Sequence, residues 1–121
     1  MQRADVPAYA IAYLRDVDFG PEIIEYIEKI EATLTPYDGR FIVHGGPIVQ
    51  VEGEWTGDVV IIEFPSATAA EEWYASPAYQ EILPLRTEHS NSMAGLLRGL
   101  PEGYRPAGKV QELQELFAEA G

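Results

Sequence analysis

One six-residue stretch, "VVIIEF" at positions 59–64, restricts the fold more than any other part of the sequence. Its β-branched and aromatic residues predict a β-strand. Alternate side chains of a strand point to opposite faces, and both faces of this strand are apolar except at Glu63. A strand of this kind belongs in the middle of a sheet and needs an apolar cover on each face. Each face of the sheet therefore needs an apolar cover, from the rest of the chain or from a second copy.

The segments around this strand alternate between strand-like and helix-like patterns. Further strands are predicted at 8–14, 40–44 and 90–99, and residues 47–53 are expected to continue extended after Gly45-Gly46. The Gly-Gly-Pro sequence at 45–47 indicates a bulge or bend in an edge strand, where a proline is tolerated.

Helices are predicted between the strands. Apolar residues recur at helical spacing over 21–34, and "PSATAAEEWYA" and "SPAYQEILPLR" predict two consecutive helical pieces at 65–75 and 76–86. Ser66 and Ser76 stand where N-caps belong, and Pro84 is expected to kink or end the second piece.

This order of elements, β-α-β-β-α-β, predicts an α+β fold of the ferredoxin-like type. It has a four-stranded antiparallel sheet with both main helices on one face, because crossover connections have a fixed handedness. The other face, which includes Ile11, Ile42 and Ile61, should not stand in water. We expect a second copy of the chain to cover it, as a two-fold homodimer with the two sheets forming a barrel.

The C-terminal region is a competing cover for that face. Residues 1–99 are expected to form the domain, and 100–108 are a Pro/Gly-rich linker. Residues 109–120 carry a narrow apolar stripe on a predicted helix. We expect this helix to dock on its own domain or on the partner chain.

Composition narrows the function. Eight basic and twenty acidic residues give a net charge of −12, which argues against nucleic acid and anionic membrane surfaces as partners. The absence of cysteine removes disulfides and thiol chemistry, and is compatible with a cytoplasmic location. No apolar run approaches the length of about 20 residues that a membrane span needs. No metal-ligand spacing or phosphate loop is present, so no cofactor is expected.

Several spaced motifs carry a family resemblance. "LTPYDGRFIVHGG", "VEGEW", "VVIIEFPSATAAEEWYASPAYQEI" and "LR" resemble the domain of unknown function 1330, over roughly residues 8–99. The resemblance implies a dimeric α/β-barrel with ferredoxin-like chains, and it implies no function. The chain departs from the pattern in three places: His44 stands where arginine is expected, Pro84 precedes Arg86, and residues 100–121 extend past the usual end.

Candidate chemistry starts from the strand at 40–44. Alternation places Arg40, Ile42 and His44 on one face, the barrel face, and sends Phe41 and Val43 toward the helices. Glu63 lies on the same face as Ile61 in the neighbouring strand, so His44 and Glu63 are expected to come together there. Tyr9 or Tyr13 of the first strand could join them.

An acid, an imidazole and a phenol in an apolar pocket suit proton transfer. The hypothesis assigns His44 as acid/base or hydrogen-bond donor, Glu63 as its partner or base, and Tyr13 as an orienting hydroxyl. Tyr9 would contact the ligand. The alternative is that His44 and Glu63 pair with each other or with Arg40 and only satisfy the dimer interface.

Other polar and aromatic residues are candidates for ligand contacts or for structural roles. Arg40 and Arg86 would hold an anionic group of the ligand, or Arg86 would pair with one of the many acids. His89 is expected at the surface or at a strand end. Trp73, Tyr74 and Tyr79 are expected in the core rather than stacked on a ligand.

These residues predict a small-molecule-binding protein or a cofactor-free enzyme, acting by proton transfer or oxygenation in the barrel cavity. The alternative is a non-catalytic dimeric binding or structural module. Nothing in the pattern decides whether the chain is an enzyme.

Overall fold

A computed structural model describes residues 6–120, which form four β-strands and four α-helices. The elements are β1 (Ala8–Arg15), α1 (Pro21–Leu34), β2 (Arg40–His44), β3 (Asp58–Phe64), α2 (Ala67–Ala75), α3 (Pro77–Thr87), β4 (Asn91–Arg98) and α4 (Pro106–Ala120), with a 3-10 turn at Thr35–Tyr37. The strands form one antiparallel sheet in the order β2-β3-β1-β4. The predicted ferredoxin-like α+β fold is confirmed, including the central position of β3 and the extra C-terminal helix.

Short polar side chains begin both helices that follow β3. The Ser66 hydroxyl accepts a hydrogen bond from the Ala69 amide at 3.1 Å, and the Ser76 hydroxyl accepts one from the Tyr79 amide at 3.3 Å. Both predicted N-caps are confirmed. Pro84 lies inside α3, and the helix continues to Thr87, so the alternative that Pro84 ends the helix was wrong. A proline forfeits a single backbone hydrogen bond there, and the last turn survives its loss.

The dense core lies at the end of the sheet where β1 begins and β3 ends. Phe64 and Leu34 are completely buried there, and Trp73 packs against Phe64 with 5.3 Å between ring centres. The Trp73 indole donates to the Thr33 hydroxyl at 3.0 Å, which satisfies the one polar atom of the ring. The expected core positions of Trp73 and Tyr79 are confirmed, since both side chains are buried.

The edge strand β2 differs from its sequence prediction in two ways. A bulge shifts the pairing register between Phe41 and Val43, inside the strand rather than at the glycines. The strand then ends at His44, and residues 47–53, expected to continue extended, belong to no strand. Gly45 and Gly46 have φ of 68° and 95°, a left-handed conformation that turns the chain away from the sheet.

The sheet face opposite the helices is open in the single chain, and α4 lies free of the domain surface. Val43, Met93 and Leu97 are exposed on that face. The apolar stripe of α4 is exposed along its length, and Phe117 is 82% accessible. None of the helices in residues 6–120 combines the length and apolar character needed to cross a bilayer.

Gly39, the residue before β2, lies where the core leaves no room for a side chain. A Cβ atom at this position would lie 2.7 Å from Phe64 and 2.8 Å from Leu34, both of them buried core side chains. We expect Gly39→Ala to lower the free energy of unfolding by about 1–3 kcal/mol in urea titrations, because the core must shift to admit the methyl group. Gly108→Ala is the control, since nothing lies within 4 Å of its Cβ. Equal midpoints for the two variants would contradict this account.

The exposed stripe of α4 predicts a dependence of self-association on the tail. A 15-residue helix is marginally stable by itself in water, so α4 needs an apolar surface to pack on. We expect deletion of residues 105–121 to weaken dimerisation, measured by light scattering over a dilution series. A dilution curve and an unfolding curve that both match the full chain would show that the helix contributes to neither.

Candidate functional site

A cavity of about 500 Å³ lies between the sheet and α1, and it extends from the edge of the dense core at Trp73 to the opposite end of the sheet, where β3 begins. Small side chains create it. Ala10 and Ala12 of β1 and Ala94 of β4 face the helices there, and they leave unfilled the space that larger residues would occupy. Ile23 and Ile27 of α1 form the opposite wall. The cavity is apolar for most of its surface, which is typical of sites for small organic ligands.

His44 opens into this helix-side cavity and not onto the barrel face. The bulge in β2 pairs His44 with Val60 and Phe41 with Ile62, and those two β3 residues face the helices. Simple alternation predicted the reverse for His44 and Val43, because one extra residue in a strand exchanges the faces of all residues beyond it. The imidazole packs over the Phe41 ring with 4.4 Å between centres and stays exposed to solvent.

Glu63 lies on the other face of the sheet, so the predicted pairing of His44 with Glu63 was wrong. The Glu63 carboxylate instead pairs with Arg40, at 2.6 Å from Nη2 and 2.9 Å from Nε. The Tyr9 hydroxyl donates to the same carboxylate at 3.5 Å. These three residues lie together on the open face, where a partner sheet is expected. This arrangement matches the structural alternative for Glu63 and Arg40.

Tyr13 lies at the far end of β1, apart from both groups. Its hydroxyl accepts from the Thr56 amide at 3.0 Å and lies 3.4 Å from the Thr56 hydroxyl. The hydrogen bond with the Thr56 side chain is the main cause that lowers the pKa of Tyr13. The Trp55 ring packs edge-on against the phenol at 6.1 Å. Tyr13 therefore anchors the loop before β3 and does not meet His44 in the cavity.

Arg86 lines the cavity from α3, with only 5% of the residue accessible. Its Nη1 donates to the Ser92 hydroxyl at 2.7 Å. No carboxylate in the described part of the chain comes within ion-pair distance of it. Burial opposes the charge, but interactions with Tyr79 and Tyr26 outweigh burial and raise the pKa of Arg86. The cavity wall thus holds a permanent positive charge, and the alternative of an ion pair for Arg86 does not apply within residues 6–120.

Two phenols stand beside this guanidinium. The Tyr26 and Tyr79 hydroxyls are hydrogen-bonded at 2.7 Å, and the Arg86 Cζ lies 6.0 Å from the centre of the Tyr26 ring. Burial is the main cause that raises the pKa of Tyr26, and the neighbouring Tyr79 adds to it, so the hydroxyl stays protonated. Tyr79 also packs on Trp73, with ring centres 4.1 Å apart.

Sequence reasoning missed two polar residues of the cavity. Tyr26 was overlooked because it is a single aromatic residue among the aliphatic residues of the apolar face of α1. It lies on the same helical face as Ile23 and Ile30. Asp58 also lines the cavity, and it faces the same side of β3 as Val60, the partner of His44. It is the carboxylate that shares a sheet face with His44. The signal for the cavity itself was the run of alternate alanines in "AYAIAYL".

The second histidine lies elsewhere. His89 follows α3 as expected for a strand-end residue, with Nδ1 at 3.0 Å from the Leu85 carbonyl and Nε2 at 3.7 Å from a Glu22 carboxylate oxygen. Across residues 6–120, no three histidine, aspartate or glutamate side chains converge as a metal site requires.

The family model "Domain of unknown function (DUF1330)" matches residues 7–100, which is most of the chain. The chain belongs to the DUF1330 family. α4 lies beyond the matched region. No curated protein matches the chain.

Solved structures of the same shape have low sequence identity. The RPA0582 protein of unknown function from Rhodopseudomonas palustris is 21% identical with a TM-score of 0.61, covering 79% of this chain and 84% of that one. A dimeric ferredoxin-like protein of unknown function from Jannaschia sp. CCS1 is 12% identical with a TM-score of 0.60, covering 75% and 97%. SnoaB, a cofactor-independent oxygenase from Streptomyces nogalater, is 16% identical with a TM-score of 0.52, covering 84% and 100%. At these identities the likeness establishes the fold alone.

Proposed function

We propose that the chain binds a small organic molecule in the helix-side cavity and acts on it as a cofactor-free enzyme by proton transfer. One observation carries the proposal. A largely apolar cavity has an exposed imidazole, His44, and a buried guanidinium, Arg86, in its lining, and Arg86 has no carboxylate partner within residues 6–120. A base open to solvent and a fixed positive charge are the two groups that proton abstraction next to a carbonyl needs.

The proposed step is the removal of a proton from the carbon next to a ligand carbonyl, with formation of an enolate. The neutral His44 imidazole takes a proton from the carbon next to a ligand carbonyl, and the C–H electron pair moves into a C=C bond. The carbonyl oxygen becomes an enolate oxygen, which Arg86 stabilises by charge and hydrogen bonding. The imidazolium exchanges its proton with water and returns one proton to the ligand carbon, which restores the carbonyl group and the neutral imidazole.

Oxygenation is a second candidate, favoured by the shared fold of SnoaB, a cofactor-independent oxygenase. Here the same carbanion would reduce dioxygen directly. A methylene group and O₂ would then yield a carbonyl group and one molecule of water. Binding without any turnover remains the non-catalytic alternative.

Deuterium exchange tests the proposed proton transfer. Aryl ketones and aryl-substituted 2-oxo acids are incubated with the protein in D₂O, and the loss of the α-proton NMR signal is followed. We expect at least one compound to exchange faster than in buffer. His44→Gln should reduce this acceleration by about 10²–10⁴-fold, the usual contribution of a general base. It should leave thermal stability unchanged, because the imidazole is exposed.

Two further variants sharpen the experiment. His89→Gln is the matched control, since His89 does not line the cavity, and it should exchange as the unmodified protein does. Ala12→Leu should fill the cavity and stop both binding and exchange while the fold is retained. Binding without exchange in every compound would favour the non-catalytic alternative. Exchange that survives Ala12→Leu would place the reaction outside the cavity.

The protein is also proposed to be a homodimer that buries the open sheet face. Support comes from the exposed Val43, Met93 and Leu97 on that face and from the Jannaschia neighbour, which is described as dimeric. The Arg40–Glu63 pair would then lie in the interface and satisfy both charges. In such an assembly each chain keeps its own cavity, because the cavity lies on the opposite side of the sheet.

Light scattering after size exclusion should give the mass of two chains at micromolar concentration. Leu97→Asp should shift the protein to monomers, because it places an unpaired charge in the apolar contact. Ile24→Asp changes an equally exposed residue on the helix side and should leave the mass unchanged. A monomeric unmodified protein would refute the dimer.

A further inference from the structure

We propose that Tyr26, with Tyr79 and Arg86, forms a recognition site in the cavity wall that presents hydrogen-bond donors and selects ligands through a carbonyl or anionic oxygen. This inference rests on the proposed binding function and specifies the ligand group that enters. It also assigns a specificity-determining role to a residue of α1 that takes no part in the proton transfer.

Arg86, Tyr26 and Tyr79 together have more hydrogen-bond donors than the hydrogen bond between the two phenols uses. A guanidinium has five N–H donors and no acceptor. The two phenols have two O–H hydrogens, and the bond between Tyr26 and Tyr79 uses one of them. Within residues 6–120, the other hydroxyl hydrogen has no protein acceptor. Whichever phenol donates to the other, one O–H is left to point toward a ligand.

The surroundings of the two phenols decide which of them meets the ligand. Tyr79 is 2% accessible and is enclosed by Trp73, whereas Tyr26 is half-buried on the cavity side of α1. Either hydroxyl can be the donor in the free chain. In the ligand complex Tyr79 is assigned as the donor to Tyr26, because this direction leaves the Tyr26 hydrogen for the ligand. The Tyr26 hydroxyl then donates to the ligand. Ser92 fixes one edge of the guanidinium at 2.7 Å, which orients the remaining N–H groups.

Asp58 also lines the cavity, and its carboxylate would favour a cationic ligand over an anionic one. It lies at the first residue of β3, and the register aligns it with Leu14, which in turn pairs with Ser92. If Asp58 set the preference, the cavity would select cations. The Arg86 charge is buried and the phenol donors are adjacent to it, so an oxygen acceptor gains several charge-assisted or aligned bonds at once. The observations therefore favour the oxygen ligand.

Three probes of one size and shape separate these outcomes. Benzoate, benzamide and benzamidinium are titrated into the full chain at about 0.15 M salt, which screens the long-range repulsion from the net charge. Binding is measured by calorimetry or by NMR chemical shifts, and toluene serves as a probe of the apolar space alone. We expect benzoate to bind most tightly, benzamide less tightly and benzamidinium most weakly. Tighter binding of benzamidinium than of benzoate would overturn the proposal in favour of Asp58.

Tyr26→Phe removes the hydroxyl and keeps the ring. It should raise the Kd of benzoate about tenfold or more and leave toluene unchanged, because a hydrogen bond to a charged group is lost. Tyr104→Phe is the matched control, an exposed tyrosine in the linker outside the cavity. Arg86→Lys keeps the charge without the planar fork and should weaken benzoate more than toluene. A benzoate Kd within twofold of the unmodified protein in Tyr26→Phe would overturn the assigned role.

The same titrations distinguish failure of this inference from failure of the proposed function. If toluene binds and Ala12→Leu abolishes its binding, the cavity is a ligand site. Equal affinities for the three charged and neutral probes would then overturn the proposed recognition site alone. If neither toluene nor any of the three probes binds, both proposals fail together.

Discussion

The arrangement of small and large side chains along β1 determines most of what is distinctive in this protein. Alanines alternate with Tyr9, Ile11 and Tyr13, so one face of the central strand is thin and the other is bulky. The thin face lies under α1 and leaves a cavity at one end, while Phe64 and Leu34 fill the other end. The bulky face makes the open side of the sheet too apolar for water. The proposed ligand site and the proposed dimer contact thus lie on opposite faces of one sheet.

This separation of faces divides the polar residues into two groups with different surroundings. Arg40 and Glu63 neutralise each other on the open face, where a partner sheet is expected. Arg86 has no such partner within residues 6–120 and is buried beside two phenols. A charge that its neighbours do not neutralise is available to a ligand, whereas a paired charge serves the fold or the interface. The ion pairing in the structure therefore distinguishes Arg40 from Arg86, which the sequence analysis assigned to the same role.

The sequence predicted the element order, both serine caps and the central place of β3, because these depend on local periodicity and capping chemistry. It misplaced His44, because no residue pattern in the sequence marks the single-residue bulge between Phe41 and Val43. The bulge exchanges the two sheet faces for all later residues of the strand. Tyr26 escaped notice for a different reason. Its importance arises from residues 53 and 60 positions away, Tyr79 and Arg86, and no pattern within α1 indicates that contact.

The net charge of the chain would oppose the buried charge of Arg86 while an anionic ligand approaches. The chain as a whole carries a net charge of −12, so an anion that fits the cavity is repelled on approach and attracted only at short range. Dissolved salt screens the long-range repulsion far more than it screens the buried contact. Association of an anionic ligand should therefore accelerate as ionic strength rises, opposite to the usual behaviour of electrostatically steered pairs. In the proposed complex, the buried guanidinium would set the selectivity at equilibrium, and the net negative charge would set the speed of capture.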